Sequence, residues 1–446
     1  MAIKAVYPKK TVQKRKSKTA QSVDERLAST KKSSSRSLAM QTKKGTARLK
    51  TAAARSRSAK KGRTPIKKST GFIQSIFSSN RKAGEMDYTF LLLVGVLVVF
   101  GLIMLLSAST PTADVKFGRS YHFFLRQLLY VAAGTGAMMV LANIDYRKLK
   151  PLAKPFMFIC IGMLVLVFLP GIGVSHNGSR RWINLGITEI QPSEFAKLAV
   201  AMFFATIVED KLYRLDTING LAKYGVWILI VAALMLAETH LSGTIVLCGI
   251  AICVLLVGGA NAKVIFTTGG IAAAVGGLLI HAIDPVRTAR FTSFLNPFAD
   301  KQGSGYQTIQ SLYAIGSGGM FGKGLGESVQ KFSYLPEPYN DFIFAVMCEE
   351  MGFFGAVFII ALFVLLIWRG IKIATEATDK FASLMVVGII SQVAIQTVLN
   401  IGVATATLPN TGVSLPFFSY GGTAIFLLLA EMGIVLSVSR YSNKKV

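Results

Sequence analysis

Long apolar runs separated by short polar segments dominate the chain from residue 88 onward. Runs of about 20 apolar residues are long enough to cross the hydrocarbon core of a bilayer as helices. The pattern predicts an all-α polytopic membrane protein with ten transmembrane helices in one membrane domain, residues 85–446. The predicted spans are 88–108, 124–143, 152–174, 192–209, 222–238, 241–259, 263–282, 341–368, 382–408 and 417–439.

The charge of the short connecting segments orients this bundle. Lys and Arg recur in the connections 144–151, 210–221, 260–263 and 369–381, and cytoplasmic loops are enriched in these residues. With an even number of spans, both termini are expected in the cytoplasm. The segment 283–340 then forms a large extracytoplasmic loop between helices 7 and 8.

Composition separates residues 1–84 from the rest of the chain. This segment holds 24 of the 49 Lys and Arg residues and only two acids, Asp24 and Glu25. We expect a disordered basic cytoplasmic tail, because such a segment has too little apolar surface to bury. Its charge favours contact with anionic lipid, and docking to a cytoplasmic protein remains open. No folded basic module accompanies the charge, so nucleic acid is not an expected partner.

The loop 283–340 is too long and too polar to be an ordinary turn between two helices. Loops of this length are usually functional or disordered, and its aromatic residues favour order. Asp300 lies here in a segment that is rich in glycine and also carries lysine. A carboxylate in such a loop at a membrane surface is a candidate for chemistry on a lipid-linked anion.

A second polar cluster precedes and begins the fourth predicted helix. Arg180 and Arg181 break the charge trend, since they lie in an outer loop. After Pro192, which is typical of a helix start, Glu194 and Lys197 share one helix face at i,i+3 spacing. Lys197 lies about 7 Å below the helix start. Opposite charges at that depth must face protein or water, so the pair either functions or locks the helix as a structural ion pair.

Two further segments place polar groups at the outer face. Glu238 and His240 occupy a tight turn between the fifth and sixth helices, where a histidine acts either as a ligand or as a packing residue. Residues 406–423 contain two prolines and three glycines and are expected to form a rigid re-entrant turn. Its glycine amides and hydroxyls could cradle an anion, although architecture alone would also explain the turn.

The cysteines and histidines favour no further site. All four cysteines fall within predicted helices without metal-ligand spacing, and the four histidines are scattered along the chain. The cysteines are therefore expected to be small packing residues, with no disulfide and no zinc site. No organic cofactor is expected.

Five separated motifs resemble those of the SEDS (shape, elongation, division and sporulation) family, in order, over about residues 88–440. A sixth segment, residues 326–331, is more similar to the division members than to the elongation members, and the sporulation members are close to the division members. The five motifs are Gly178-Ser179-Arg180-Arg181-Trp182 through Gln191-Pro192-Ser193-Glu194-Phe195-Ala196-Lys197-Leu198, Asp300-x-x-Gly303-Ser304-Gly305-Tyr306-Gln307, Leu335-Pro336-Glu337-Pro338-Tyr339-Asn340-Asp341-Phe342-Ile343-Phe344-Ala345, Glu349-Glu350-Met351-Gly352, and Leu415-Pro416-Phe417-Phe418-Ser419-Tyr420-Gly421-Gly422-Thr423.

This resemblance implies a peptidoglycan glycosyltransferase of the bacterial plasma membrane, at the division septum, that polymerises lipid II on the outer leaflet. The 4-hydroxyl of an acceptor sugar attacks the anomeric carbon of a donor and expels undecaprenyl pyrophosphate. The family's catalytic aspartate matches Asp300, which would act as a general base. Glu194 would orient Lys197, which would face the charge that develops on the pyrophosphate.

The resemblance also implies binding residues and partners. A divalent cation, Mg²⁺ or Mn²⁺, would assist the leaving group. The partners would be lipid II, undecaprenyl-linked glycan, a class B penicillin-binding protein and other division proteins. The residues expected to bind substrate are Arg180, Arg181, Trp182, His240, Gln310, Lys331, Glu337, Asp341, Ser419, Gly421 and Gly422.

Three positions depart from the family pattern. His240 lies where the family often has an aspartate, so an acidic role cannot be transferred to it. Tyr339 lies where a histidine is usual, although Glu337 and Asp341 are retained. Lys301 follows Asp300 where proline is frequent, which would alter the loop backbone but leaves the carboxylate.

Two other functions remain open. A flippase for lipid II would need buried polar residues along the whole bilayer depth, whereas the ionisable residues of the predicted spans cluster near the outer face. A scaffold without catalytic activity would support division even with Asp300 replaced.

Overall fold

The structure is a computed structural model that describes most of the chain after the basic segment. The predicted tail, residues 1–84, lies outside the described residues apart from its last position. The described residues are 84–176, 179–184, 186, 188–283, 294–303, 305–332 and 334–442.

The described part of the chain is mostly helical. Short 3₁₀ helices cover Tyr146–Leu149 and Pro297–Ala299. The α-helices are α1 (Tyr88–Phe117), α2 (His122–Asn143), α3 (Lys150–Leu166), α4 (Pro192–Glu209), α5 (Ile218–Ala237), α6 (Leu241–Gly258), α7 (Ala262–Ile283), α8 (Tyr306–Ser317), α9 (Ile343–Thr375), α10 (Lys380–Ala404) and α11 (Gly422–Arg440).

Eight of the described helices are long and apolar enough to cross a membrane, which supports a polytopic membrane protein. The predicted spans outside this set are α4, which carries Glu194, Lys197 and Glu209 within 18 residues, and α7. The count of ten spans and the cytoplasmic location of the termini stay predictions.

The prediction of an all-α protein is wrong between α3 and α4. This segment contains a three-stranded antiparallel sheet made of β1 (Gly173–His176), β2 (Ser179–Asn184) and β3 (Glu189–Ile190). Ile183 of β2 pairs with Gly173 on one side and with Ile190 on the other. Helix α3 ends at Leu166 rather than at the predicted residue 174, and the chain then reverses so tightly that Gly173 has no space for a Cβ beside the Val167 carbonyl.

Ion pairs join several helix ends on one side of the bundle. Asp87, which caps the start of α1, lies 2.8 Å from the Arg369 guanidinium near the end of α9. Lys150 at the start of α3 lies 2.6 Å from Glu209 at the end of α4. These helix ends are therefore close to one another, as the predicted cytoplasmic face requires.

Helix α9 is interrupted at Gly352, whose φ of 66° lies in the left-handed region. The return segment, defined here as residues 318–332 of the outer loop, runs along α9 at this interruption. Gly352 and Gly322 lie so close together that neither has space for a Cβ. Four backbone hydrogen bonds join Lys323 to Glu349, Gly324 to Glu350, Phe353 to Gly319 and Phe354 to Met320.

Candidate functional site

The outer end of α4 carries a buried ion pair. Helix α4 begins at Pro192, whose missing amide costs nothing at the first helical position. One turn later, Lys197 Nζ lies 2.8 Å from Glu194 Oε2, and the two side chains are only 2% and 10% exposed. Because α4 packs between α3, α6 and α10, each charge depends on the other for compensation. The ion pair predicted from the sequence is therefore present, while its catalytic role stays a prediction.

A cavity opens beside this ion pair, with an empty volume of about 350 Å³ that includes space open to solvent. It is lined by residues of α4, α10, α11 and the irregular turn between α10 and α11. Glu194 and Ser419, far apart in the sequence, line the same cavity. Asp300 is not among its lining residues.

Three buried polar residues near this cavity were not among the predicted site residues. Gln392 and Gln396 line the cavity from one face of α10. Gln392 Nε2 also donates to Glu431 Oε2 over 3.0 Å. Isolated polar residues in apolar spans are functional candidates by default, and this signal could have found all three.

Glu431 lies in the middle of α11 and is fully buried. Its Oε1 atom has no hydrogen-bond partner among the described residues. The carboxyl group interacts electrostatically with both Lys197 and Glu194. The buried polar network therefore runs from the outer end of α4 into the middle of α11.

The sheet brings Arg181 onto the turn between α5 and α6. Arg181 donates to the Thr239 carbonyl over 2.6 Å and to the Glu238 carbonyl over 3.5 Å. The Thr239 hydroxyl also lies 2.8 Å from the Ser179 hydroxyl. Arg181 thus docks the sheet on this turn. Arg180 alternates with it along β2 and is exposed, which suits a contact with a ligand arriving from outside.

Glu238 and His240 are buried within the same turn. Burial raises the pKa of Glu238 to about 8 against the opposing effect of Arg181, and neither carboxylate oxygen has a hydrogen-bond partner among the described residues. Burial, followed by the charges of Arg181 and Lys197, lowers the pKa of His240 to about 3. The imidazole is therefore neutral at neutral pH. It packs against Gly243, where a Cβ would lie 2.6 Å from the ring.

Asp300 directly follows the 3₁₀ helix Pro297–Ala299 and is exposed. The Gly303 amide donates to Oδ1 of Asp300 over 2.9 Å, and the Gly305 amide donates to its carbonyl over 3.2 Å. Gly303 lies close to this carboxylate, and a Cβ at Gly303 would force the Asp300 side chain to rotate away. The carboxylate is thus accessible from outside while its own turn holds its orientation.

The helix that follows the Asp300 turn is tied to the end of α10. The Asn410 side chain donates to Gln307 Oε1 over 2.7 Å, and the Ser311 hydroxyl donates to the Ala404 carbonyl over 2.7 Å. These bonds attach the Asp300 loop to the segment that leads into the cavity lining. Two other predicted site residues, Gln310 and Trp182, are partly buried.

The predicted re-entrant turn is locked onto the end of the outer loop. The Ser419 hydroxyl donates to the Asn340 carbonyl over 2.6 Å and accepts from the Leu415 amide over 2.8 Å. The Tyr420 amide donates to the Tyr339 carbonyl over 3.0 Å. Ser419 therefore holds two segments together in addition to lining the cavity.

The two predicted glycines of this turn pack against α2. The Gly421 amide donates to Gln127 Oε1 over 3.2 Å. Gly422 lies against the Tyr130 ring, where a Cβ would collide. These contacts give both glycines an architectural role, and binding of an anion by this turn stays a prediction.

Glu337 and Asp341 flank the same junction. Glu337 Oε2 accepts from the Asn340 side chain over 2.9 Å. The Asp341 carbonyl accepts from the Asn400 side chain over 2.9 Å, and the same Asn400 amide group donates to the Val413 carbonyl over 2.7 Å. Contact of either acid with substrate stays a prediction.

Lys331, near the end of the return segment, is buried. Its ammonium donates to Ser107 Oγ over 3.0 Å, to the Gly326 carbonyl over 2.6 Å and to Glu350 Oε1 over 2.9 Å. These three acceptors use all three donors of a lysine. The described contacts therefore give Lys331 a structural role, and its predicted contact with substrate stays a prediction.

The described residues include no group of three or more His, Cys, Asp and Glu side chains that could hold a metal ion. Mg²⁺ is commonly held by one or two carboxylates together with substrate phosphates rather than by a cage of protein ligands. A divalent cation at the site stays a prediction.

Comparisons with known proteins agree with these motifs. Residues 87–444 match the model of the FtsW/RodA/SpoVE family, described as "Cell cycle protein". The chain is 45% identical to stage V sporulation protein E of Bacillus subtilis, over 80% of this chain and 98% of that protein. It is 38% identical to the probable peptidoglycan glycosyltransferase FtsW of Geobacter metallireducens, over 79% of this chain and 94% of that protein.

A solved structure is similar as well. It is a chain from a peptidoglycan synthase complex that coordinates polymerization and crosslinking, with a TM-score of 0.67 and 28% sequence identity, covering 80% of this chain and 98% of that one. The family model spans nearly all of the described residues, and both relatives are matched over almost their whole length. The chain therefore belongs to the FtsW/RodA/SpoVE family, the SEDS family that its motifs resemble.

Proposed function

We propose that this protein is a peptidoglycan glycosyltransferase that polymerises lipid II on the outer leaflet of the bacterial plasma membrane. Relatives named as probable peptidoglycan glycosyltransferases match it over most of its length, which supports this activity. The observation that carries the proposal is the state of Asp300. Its carboxylate is exposed and is held in one orientation by the Gly303 amide, as a general base for an incoming hydroxyl requires.

Asp300 accepts the proton of the acceptor's 4-hydroxyl as the hydroxyl oxygen bonds to the anomeric carbon of the donor. The bond from that carbon to the pyrophosphate breaks, and its electron pair leaves with the lipid pyrophosphate. A positioned base contributes roughly 10²–10⁴-fold to such a step. The Gly303 amide holds Oδ1 of the carboxylate in place during this step.

The leaving pyrophosphate needs positive charge. Arg180 is exposed beside the docked Arg181, so it is the cation that we assign to direct contact. Lys197 is held by Glu194 beside the cavity and supplies a positive field from below. A divalent cation, Mg²⁺ or Mn²⁺, would neutralise further charge when bound with the pyrophosphate.

A class B penicillin-binding protein is the proposed partner, since the new strands must be crosslinked. A synthase complex that coordinates polymerization and crosslinking contains a chain similar to this one. The relatives include a stage V sporulation protein and proteins named FtsW, and we assign the activity to septal wall synthesis.

Lipid II polymerisation by the purified protein tests this proposal. Wild type, Asp300→Asn and the matched neighbour Lys301→Gln are assayed with and without the transpeptidase partner and with and without a metal chelator. We expect glycan strands from wild type and Lys301→Gln and none from Asp300→Asn. Full polymerisation by Asp300→Asn would refute the general-base role.

A lipid II flippase is the second candidate, because the structure adds a buried acid deep in the bundle. Glu431 lies nine residues before Arg440, the last residue of α11, or about 14 Å along the helix. This places it near the middle of a hydrocarbon core about 30 Å thick. Lipid II flipping in proteoliposomes that is insensitive to Asp300→Asn but lost in Glu431→Gln would favour the flippase.

A further inference from the structure

The return segment exposes its large apolar residues, unlike an ordinary aqueous loop. Among its polar residues, Ser328 and Lys331 are buried, at 0% and 3% exposure, whereas Lys323 and Glu327 are exposed. All five of its large apolar residues are exposed. They are Met320 at 54%, Phe321 at 82%, Leu325 at 61%, Val329 at 50% and Phe332 at 56%.

This arrangement is held by charged hydrogen bonds. Glu349 accepts from Lys323 Nζ over 2.6 Å and from Ser328 Oγ over 2.6 Å. Lys331 and Glu350 form a second pair, 2.9 Å apart and almost fully buried. The apolar side chains are therefore presented by a braced backbone, and their exposure is a property of the fold.

The lengths of two helices indicate where the return segment lies relative to the bilayer. Asp87 and Arg369 pair at the predicted cytoplasmic end, and Ser107 donates to Glu350 Oε1 over 2.6 Å at the other end. Ser107 lies 20 residues after Asp87, or about 30 Å along α1. Arg369 lies 16 residues, or about 24 Å, after Phe353, the residue that follows the Gly352 interruption of α9. The α1 distance matches the thickness of the hydrocarbon core and the uninterrupted part of α9 covers most of it, so the Ser107–Glu350 contact lies near its outer boundary.

The return segment meets α9 at this level, since its backbone bonds to residues 349, 350, 353 and 354. The Phe321 ring lies 5.4 Å from the Phe354 ring. Phe354 and its neighbour Phe353 are exposed on a helix whose length and hydropathy suit a membrane span. Phe321 therefore continues the apolar outer surface of α9, the surface that faces lipid in a membrane span.

From these observations we propose that the return segment is an interfacial anchor whose partner is the acyl chains of the outer leaflet. Phe321 and Leu325 insert beside α9 where the hydrocarbon core begins, and two ion pairs, the buried Lys331–Glu350 and the partly exposed Lys323–Glu349, hold the backbone at that depth. Exposed apolar side chains are stable in lipid without burial by protein, so lipid accounts for a pattern that water does not. The anchor stands independently of the proposed reaction.

Site-directed spin labelling of the full chain in nanodiscs of phosphatidylethanolamine and phosphatidylglycerol tests this proposal. Cysteine is introduced singly at Phe321 and, as a second probe of the segment, at Leu325. Val357→Cys, on the exposed face of α9, is the lipid control. Lys116→Cys is the water control, since it lies nine residues or about 14 Å beyond Ser107 along α1. The unsubstituted protein gives the background from its four native cysteines.

Each label is relaxed by molecular oxygen, which concentrates in the hydrocarbon, and by a nickel chelate that stays in water. The measured quantity is the ratio of a label's accessibility to oxygen over its accessibility to the nickel chelate. We expect labels at 321 and 325 to give a ratio like that at 357, several-fold higher than the ratio at 116. A ratio at both positions like that at 116 would overturn the proposal. If such water-exposed labels then became shielded on addition of the transpeptidase partner, the surface would belong to a protein interface instead.

Discussion

Glu349 of α9 and Asp300 of the outer loop show two opposite ways of holding a carboxylate. Glu349 is fully buried. Asp300 is exposed and accepts from the Gly303 amide within its own turn. The donors to Glu349 are the hydroxyls of Ser317 and Ser328, the ammonium of Lys323 and the amides of Val329 and Gln330.

Glu349 therefore suits a structural role, whereas Asp300 suits the proposed catalytic role. A carboxylate offers about four lone-pair positions, and the donors around Glu349 occupy its two oxygens from every side. An acid in that state has no place for a substrate proton. Asp300 can be reached by substrate, and the glycine beside it sets its direction without covering it. A carboxylate that is accessible and held in one orientation is therefore a better candidate for a general base than one that is buried among many hydrogen-bond donors.

The largest expected effect is on the rate of catalysis at Asp300. In Asp300→Asn the amide keeps the shape of the side chain and can still accept from Gly303, but it cannot take a proton. We expect the polymerisation rate to fall by roughly 10²–10⁴-fold, while the thermal unfolding midpoint in detergent stays near that of wild type. A large drop in the midpoint would instead assign Asp300 to structure.

Glu349→Gln should show the reverse pattern. The substitution removes the buried charge that pairs with Lys323, and the NH2 of the new side-chain amide then faces donors that need an acceptor. We expect a loss of about 3–5 kcal/mol in the free energy of unfolding, with near-normal specific activity in the fraction that remains folded. The matched control is Glu376→Gln at the other end of α9, whose pair with Lys372 is exposed and 4.0 Å long, and its effect should stay below about 1 kcal/mol.

Gly303→Ala tests whether orientation matters once accessibility is kept. The added Cβ pushes the Asp300 carboxylate aside, and in an exposed turn the side chain can rotate away at little cost in stability. A displacement of about 1 Å lowers the rate by about 10–100-fold, measured as single-turnover polymerisation. Gly316→Ala in α8 is the control, because its Cβ meets nothing within 4 Å. Equal rates in the two variants would show that the carboxylate does not need this orientation.

Glu238 extends the comparison to an acid that is buried and lacks a hydrogen-bond partner for its carboxylate among the described residues. Burial raises its pKa to about 8, above the ordinary value of about 4.3. The folded state therefore binds this proton more tightly than the unfolded state, so the contribution of Glu238 to stability falls as pH rises from about 4.3 to 8, by at most about 1.4 kcal/mol per pH unit. The free energy of unfolding, measured from pH 5 to 8, should fall less steeply with pH in Glu238→Gln than in wild type. An unchanged slope would contradict the raised pKa.

Features that depend on neighbours in the chain were predicted well. Apolar runs located the helices because a membrane span has to be continuous in sequence. The i,i+3 spacing predicted the Glu194–Lys197 pair, since a helix puts those side chains on one face. The turn at Asp300 is local too, since its carboxylate is held by the amide three residues later, although this turn was not predicted.

Features that depend on distant contacts were missed or left open. The segment that forms the sheet between α3 and α4 was expected to be loop and helix. Its strands are short, and no apolar run in the sequence indicates how they pair. The contacts of Lys331 with Ser107 and Glu350 were not predicted, because these partners lie far from it in the sequence. Gln392 and Glu431 meet only when α10 packs beside α11.

The sequence by itself determined the class of the protein, its family and the acid proposed as the catalytic base, because apolar length, motif order and short-range spacing are local properties. Only the tertiary structure decided which charged groups are already paired with other protein groups and which polar residues line the cavity. It also decided that the return segment exposes its apolar side chains. The physical reason is that a polar group acts according to its partners and its solvent, and the fold supplies both.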